Sequence, residues 1–352
     1  MHSTNDVMPS PHSNKPSLNR PAPINNRRQQ GVAIITALLI VTIAATVSIT
    51  ISTRLQLDVR RTSNMIAQDQ ANFYLLAAEE WSQRILRDDK KDNNTDGLSE
   101  AWAIELPPLP VAGGSIQGKL TDLHSCININ SLISENPAAV NEGSSAGNVA
   151  GGSAINPTTQ ARITQLFRNL EVDSNLTQSI TDWIDGDLET TNPGGAEDGY
   201  YLNLEKPYHT ANTPLQSISE LRLIKGFEDS EIYNKVKDNL CSFVPVDADI
   251  SININTASAE VLKSLSSKMT DNLVKDIIDH RDSELFGDVK EFTSFAKLDT
   301  IIKDTALLST SSDYFLLRTQ AIIGQANKVM YSIIYRDDTG KTEVISRVYR
   351  TL

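Results

Sequence analysis

The sequence predicts an α+β chain. One very long N-terminal helix packs on a small antiparallel sheet, and a large, mostly helical insertion splits that sheet. Three observations carry this. No charged residue occurs from 29 to 53, and apolar residues then recur at helical spacing well beyond that run. A partly alternating run at 115–123 finds its companions only at the far end, in three strand-like runs at 314–323, 328–336 and 343–349. Between them, over about 125–310, helical periods and caps dominate.

Residues 1–30 are rich in Pro, Asn and Ser and lack hydrophobic periodicity, as a disordered leader does. The uncharged run that follows exceeds the roughly 20 apolar residues a helix needs to cross a bilayer. Arg27 and Arg28 stand before it, as on a cytoplasmic flank. A secretory signal peptide has a shorter apolar core followed by an Ala-x-Ala-like site. Here the small-residue break, Gly31, precedes the run, so cleavage after it removes the leader 1–31 and leaves Val32 as the new N-terminus. The membrane half of the helix is then 32–53. Beyond Arg54, Leu55, Val59, Ile66, Phe73, Ala77, Trp81 and Ile85 recur mostly at steps of three, four or seven, with Asp58, Arg60, Arg61 and Asp69 facing elsewhere. The helix is expected to end near Arg87, where a charged stretch 88–94 reads as a loop. At 1.5 Å per residue, 32–86 spans roughly 80 Å.

Pro107, Pro108, Pro110, Gly113 and Gly114 make a turn-rich approach to the first strand, so 54–124 holds the rest of the helix and the start of a globular head. The segment 311–352 completes the head, with hairpin turns expected at 324–327 and 337–340. Inside the insertion, the Gly/Ser/Asn stretch 141–153 reads as a flexible loop. Helices are expected at 158–170, 174–185, 258–266 and 271–282, and a Ser217-x-x-Glu220 capping box opens another. Ile127-Asn128-Ile129-Asn130-Ser131-Leu132 is echoed by Ile252-Asn253-Ile254-Asn255-Thr256-Ala257, which predicts two related helical subdomains.

The formal charge is −12, and the leader carries a net +3 from Lys15, Arg20, Arg27 and Arg28 against Asp6, so the remainder carries −15. So acidic a body argues against nucleic acid as a partner. It suits a cation-binding protein outside the cytoplasm. There a disulfide between Cys126 and Cys241 is chemically reasonable, two buried free thiols being the alternative. His2, His12, His124, His209 and His280 are scattered without metal-ligand spacing.

The leader layout resembles the type IV pilin and pseudopilin family, whose prepilin peptidase cuts after such a glycine and methylates the new N-terminus. Two departures narrow the resemblance: Val32 replaces the usual Phe, and the fifth residue is Thr36 rather than Glu. The continuation Gln56-Leu57-Asp58-Val59-Arg60-Arg61-Thr62, then Gln68-Asp69-Gln70-Ala71 and Ala77-Ala78-Glu79, is similar to the minor pseudopilin K family of type II secretion systems. The resemblance implies a pilin-like fold, a single-pass inner-membrane anchor and a periplasmic body. It implies a structural role at the tip of the pseudopilus with the minor pseudopilins I and J. Pseudopilin H, the major pseudopilin G, the secretin and exported cargo are further expected contacts. In family members with Glu at the fifth place, the carboxylate is thought to meet the amine of the neighbour above. An acid left unpaired in lipid costs about 2.5 kcal/mol or more, so a neutral Thr36 suits a subunit with no neighbour above it.

The chemistry-bearing stretch is Trp183-Ile184-Asp185-Gly186-Asp187, followed by Gly194-Gly195-Ala196-Glu197-Asp198-Gly199-Tyr200. Carboxylates at loop-favouring positions, with glycines that let the backbone curl, offer the hard oxygens calcium takes, six to eight at a time. The spacing is not an EF-hand. The resemblance implies calcium in this loop, held foremost by Asp187, Glu197 and Asp198, with Asp185 and Asn212 behind them.

Residues 253–262 leading into 274–281 are similar to helix-hairpin-helix modules that grip DNA phosphate. Leu265-Ser266-Ser267-Lys268-Met269 stands where their hairpin glycines belong, and the surroundings are acidic, so the phosphate nest is lost. No nucleophile elbow, phosphate loop or dinucleotide motif occurs, and a non-enzymatic role is expected. The alternatives are a minor pilin of a true type IV pilus and a membrane-tethered DNA-uptake protein.

Overall fold

The computed structural model describes residues 27–105, 107–134, 154–245 and 250–351. The leader up to residue 26 and the loop expected at 141–153 lie outside the described residues. The chain divides into two compact units, 1–63 and 64–352.

In the first unit the described residues form one helix, the start of α1 (Arg27–Asp92). It is long and apolar enough to cross a membrane. Its described apolar side chains are exposed, Ile35 and Ile49 both at 67%. Several hydroxyls along it are satisfied internally. Thr42, Thr46, Ser48, Thr50 and Thr53 each donate to a carbonyl three or four residues back. In lipid such back-bonding hides a group that would otherwise need a partner.

In the second unit α1 continues to Asp92, one turn beyond the expected end near Arg87. Lys91 pairs with Asp88 at 2.7 Å, and Lys90 and Lys91 in the last turn face the negative end of the helix dipole. The extra turn also brings Asp89 to Arg336, 2.9 Å away. Against this part of α1 lies a five-stranded antiparallel sheet of β1 (Leu109–Val111), β2 (Gly114–Asp122), β3 (Tyr314–Ile323), β4 (Ala326–Arg336) and β5 (Thr342–Thr351). Spatial order equals chain order. The β1 residues, expected only as a turn-rich approach, pair with Gly114–Ile116. The first hairpin loop is tighter than expected, just Gly324 and Gln325 between the paired Ile323 and Ala326.

Strand alternation sorts the two sheet faces. Leu120, Phe315, Leu317 and Ile334 pack with Leu86 and Trp102, and Ala321, Ile323 and Met330 pack with Ala71 and Leu75. Tyr314 faces the other way, into Leu123, Phe243 and Ile250. Ion pairs at two places fasten the helix. Glu79 takes Arg347 at 2.5 Å and a hydrogen bond from Ser332. Arg336, 1% exposed, holds Asp89 and Asp96 and donates to the carbonyls of Leu86 and Ser312.

The insertion leaves the sheet after Asp122 and returns at Tyr314. It contains α2 (Pro157–Asn169), α3 (Leu176–Ile184), α4 (Asp198–Tyr201), α5 (Ser230–Val236), α6 (Ala259–Ser264), α7 (Asp271–Ser283) and α8 (Val289–Ser294). The Ser217–Glu220 capping box is present, heading a 3-10 turn rather than an α-helix. The internal echo marks a repeated device. Ile127–Asn128 pairs in parallel with Leu240–Cys241, and Ile252–Asn253 with Leu308–Ser309, so each subdomain opens and closes on the same kind of two-residue ladder. Asn130 exchanges two hydrogen bonds with the backbone of Leu215, and Asn255 does the same with Phe286. Cys126 and Cys241 are joined, their Cα atoms 5.8 Å apart, at the two ends of the first subdomain.

Candidate metal centre

α3 is buried on nearly every side and ends at Asp185, which takes an extended conformation and turns the chain outward. The excursion returns along Gly194–Glu197. Asp182, on the last full turn of α3, accepts the Thr191 N–H on both oxygens, 3.2 and 3.1 Å, and so pins the loop's middle. Glycine is demanded where the loop passes closest. A Cβ on Gly195 would overlap Asp182 Oδ2 and the Thr191 carbonyl, and Gly194 sits at φ 105° against Asn175. Gly186 and Gly199 meet nothing within 4 Å, so no close approach requires them.

This folding brings Asp185, Asp187 and Glu197 together, one carboxylate oxygen of each lying within 4.8 Å of the others. Asp185 and Glu197 are buried, 5% and 4% exposed. Asp185 Oδ1, both oxygens of Glu197 and the Asn212 side-chain oxygen are buried without a hydrogen-bond partner. Asn212 stands at φ 47° with its N–H donated to the Trp183 carbonyl, two residues before Asp185. Burial, reinforced by Asp187 and Asp182, pushes Asp185 up to about 7. Burial and the carboxylates of Asp182, Asp185 and Asp187 push Glu197 up to about 8. The nearby Lys225 ammonium gives its bonds to the Gly194 and Gly195 carbonyls instead.

An unpaired buried oxygen costs about 1–3 kcal/mol. Unpaired oxygens on Asp185 and Glu197, two of the three carboxylates that come together, are what a hard cation would relieve. The donors are all oxygen, as calcium prefers. Zinc would require imidazole or thiolate, and His209 is engaged with Asp198. The residues present therefore fit calcium, with Asp185, Asp187, Glu197 and Asn212 the side chains to hold it.

Asp198 does not join them. Its Oδ1 accepts the Thr210 N–H and hydroxyl, 2.9 and 3.0 Å, and its Oδ2 faces His209 Nδ1 at 2.7 Å. His209 foremost, then Thr210, holds its carboxyl below the usual range. Glu197 is the residue before α4 and Asp198 opens it. Asp198 clasps the return loop through Thr210 and His209. Asp182 escaped the sequence reading, although its place one helical turn before Asp185 was a usable signal. A second acidic trio, Asp89, Asp96 and Glu100, already has its counterparts. Arg336 serves the two aspartates, while Gly97 N–H, the Trp102 indole and Asn93 serve Glu100.

At the other end of the chain, Gly31 is exposed within α1 with nothing within 4 Å, and Val32 is exposed beside it. The Thr36 hydroxyl donates to the carbonyls of Val32 and Ala33. The helix-hairpin-helix-like segment folds as α6 and α7, with Lys263 drawn to Asp271.

The family described as type II secretion system (T2SS), protein K, matches the chain over residues 125–244 and again over 252–311. Protein K of Aeromonas hydrophila is 32% identical over 333 residues, covering 92% of this chain and 97% of the relative. That of Pectobacterium carotovorum subsp. carotovorum is 30% identical over 336 residues, with the same coverages. Among solved structures, a chain of the GspK–GspI–GspJ complex of enterotoxigenic Escherichia coli superposes with a TM-score of 0.67 at 25% identity. It is covered completely, by 83% of this chain. The two family segments coincide with the two subdomains that the repeated Ile-Asn-Ile-Asn ladders delimit. The chain belongs to the type II secretion system protein K family, a family of minor pseudopilins.

Proposed function

We propose that this chain sits at the tip of the periplasmic pseudopilus and initiates or caps the filament with the minor pseudopilins I and J. The solved relative crystallised in a GspK–GspI–GspJ complex, which supports that choice of partners. The observation that carries the tip position is Thr36. Its hydroxyl is spent within its own helix and asks nothing of a subunit above. A repeating subunit would carry an acid there to meet its neighbour's amine. The insertion between Asp122 and Tyr314 is bulk of a kind better placed at an end than in a repeat.

On this reading prepilin peptidase cuts after Gly31 and Val32 becomes the methylated N-terminus. The uncharged half of α1 anchors the chain in the inner membrane, and the body lies in the periplasm. The role is structural, and calcium in the Asp185/Asp187/Glu197 loop stabilises the first subdomain rather than reacting. Contacts with H, G, the secretin and cargo belong to the same reading. The family match favours neither a type IV pilus nor DNA uptake.

The test is cross-linking in secreting cells through a cysteine placed at Thr36. Adducts with I or J and none between copies of this chain are expected. Ladders of this chain linked to itself overturn the tip position. A Gly31→Leu variant that still loses its leader, seen as a faster-migrating band, overturns the processing step.

A further inference from the structure

We propose that Asn130 is the positioning residue of the cation loop, holding the Asn212 segment through the backbone of Leu215. The inference rests on the calcium reading and goes past it, to what fixes a ligand-bearing strand of chain in place. Asn130 is buried in the first subdomain, outside the acidic stretch altogether. Its Nδ2 donates to the Leu215 carbonyl at 2.9 Å while its Oδ1 accepts the Leu215 N–H at 2.8 Å. One side chain thus grips both polar groups of one backbone residue, 85 positions away. The segment it closes, 210–215, is held at two other points. Asp198 accepts the Thr210 N–H, and Asn212 donates its own N–H to Trp183 at 3.0 Å. Asn212 sits between these anchors in the left-handed region with its side-chain oxygen buried and unpaired. Three fixed points therefore aim that oxygen, and Asn130 supplies the one that no residue of the loop provides.

The grip continues to the disulfide. Asn130 Nδ2 also reaches the Phe243 carbonyl at 3.2 Å, and Asn128 exchanges two hydrogen bonds with Phe243, 3.0 and 3.3 Å. Phe243 lies two residues past Cys241, and Asn128 two past Cys126. A continuous run of covalent and hydrogen bonds joins the cystine to the cation loop. Outer-shell partners of this kind orient metal ligands. The second subdomain supplies a matched control, because Asn255 makes the same two-bond grip on Phe286, where the neighbouring Asp288 and Glu291 already accept the backbone N–H groups of Glu291 and Gly287.

The experiment titrates calcium into the detergent-solubilised full chain by calorimetry, for wild type, Asn130→Ala and Asn255→Ala, with thermal unfolding in chelator alongside. Asn130→Ala is expected to weaken calcium binding about 10- to 100-fold, the range seen when an outer-shell partner is removed. Asn255→Ala is expected to lower the unfolding temperature in chelator and leave the affinity at the wild-type value. Equal calcium affinity in wild type and Asn130→Ala, or an equal loss in both variants, overturns the positioning role. If Asn130→Ala does not fold, Asn130→Ser takes its place under the same criteria. Its single hydroxyl cannot span both the N–H and the carbonyl of Leu215, as the amide does. A wild-type chain that takes up no calcium overturns the underlying metal reading, a result distinct from wild-type binding with an indifferent variant.

Discussion

Replacing Arg336 by Met tests how the helix, the sheet and the insertion are fastened together. The guanidinium is 1% exposed and bonds Asp96 on both oxygens at 2.6 Å, Asp89 at 2.9 Å, and the carbonyls of Leu86 and Ser312 at 3.1 and 2.9 Å. Methionine fills much of the volume but leaves two carboxylates facing each other without a cation. Breaking a buried pair from one side costs about 3–5 kcal/mol, because the remaining charge stays buried. For a unit of this size, with each kcal/mol worth about 2 °C, the midpoint should fall by roughly 6–10 °C. The loss should depend on pH with a definite sign. Burial already pushes Asp89 up to about 7, against the lowering pull of Arg336. Its ionised form is disfavoured in the folded chain, so the cost is absent below the unfolded value of 3.8 and accrues as pH rises towards 7. Without Arg336 that value climbs further, and the deficit is smallest near about pH 5 and largest near about pH 8. Thermal unfolding followed by near-UV circular dichroism across that range reads both effects. Adding Asp96→Asn should recover part of the loss. A midpoint within about 2 °C of wild type at every pH, which is under about 1 kcal/mol, would refute a dry, closed network.

Calcium at 100 times its dissociation constant should stabilise the chain by about 2.7 kcal/mol, read as an upward shift in unfolding temperature that chelator reverses. Glu197→Gln should abolish that shift and Asp198→Asn should leave most of it, since Asp198 is bonded to Thr210 and His209 instead; the opposite ranking in a calcium titration would restore Asp198 as a ligand. Gly195→Ala should destabilise the loop and weaken calcium binding, whereas Gly186→Ala, with open space around its Cβ, should do neither; paired thermal scans decide. Cys126→Ser with Cys241→Ser should cost about 2–5 kcal/mol in urea unfolding, as for a native disulfide closing a long loop; an unchanged midpoint would show that the bridge is dispensable.

What the sequence made legible is what depends on local pattern. The uncharged run, the three C-terminal strands and the capping box at Ser217 each announce themselves within a few residues, and each is found in place. The acidic loop was legible for the same reason. Its hydrogen bonding was not, because adjacency in sequence hides that Asp198 is bonded to Thr210 and His209 while both Glu197 oxygens are buried without a partner. Asp182 reads as one more polar residue in an amphipathic helix until the loop folds back on it. The extra turn of α1 needed Arg336, more than 240 residues away, to shelter Asp89. The six-residue echo was legible as a repeat, yet nothing in it said that its second asparagine would clamp a distant peptide.

That clamp also bears on why, among the described residues, the first subdomain and not the second draws three carboxylates together. Asn130 and Leu215 enclose a separation of 85, Asn255 and Phe286 one of 31. Closing the longer excursion costs only about 0.9 kcal/mol more in chain entropy, since the penalty grows with the logarithm of length. Length by itself therefore gives the first subdomain little reason to recruit a cation. The four unpaired oxygens of Asp185, Glu197 and Asn212 would, at about 1–3 kcal/mol each. On the calcium proposal, the excursion burdens the subdomain until a cation binds, and the same oxygens should then become its firmest point. The cystine and Asn128 hold the base of the excursion whether or not the ion is present. Chelation should therefore loosen 185–215 and leave 126–132 and 240–243 protected, a division that hydrogen exchange resolves segment by segment. Uniform loss of protection across the whole first subdomain would mean that the ion, and not the cystine, holds its base.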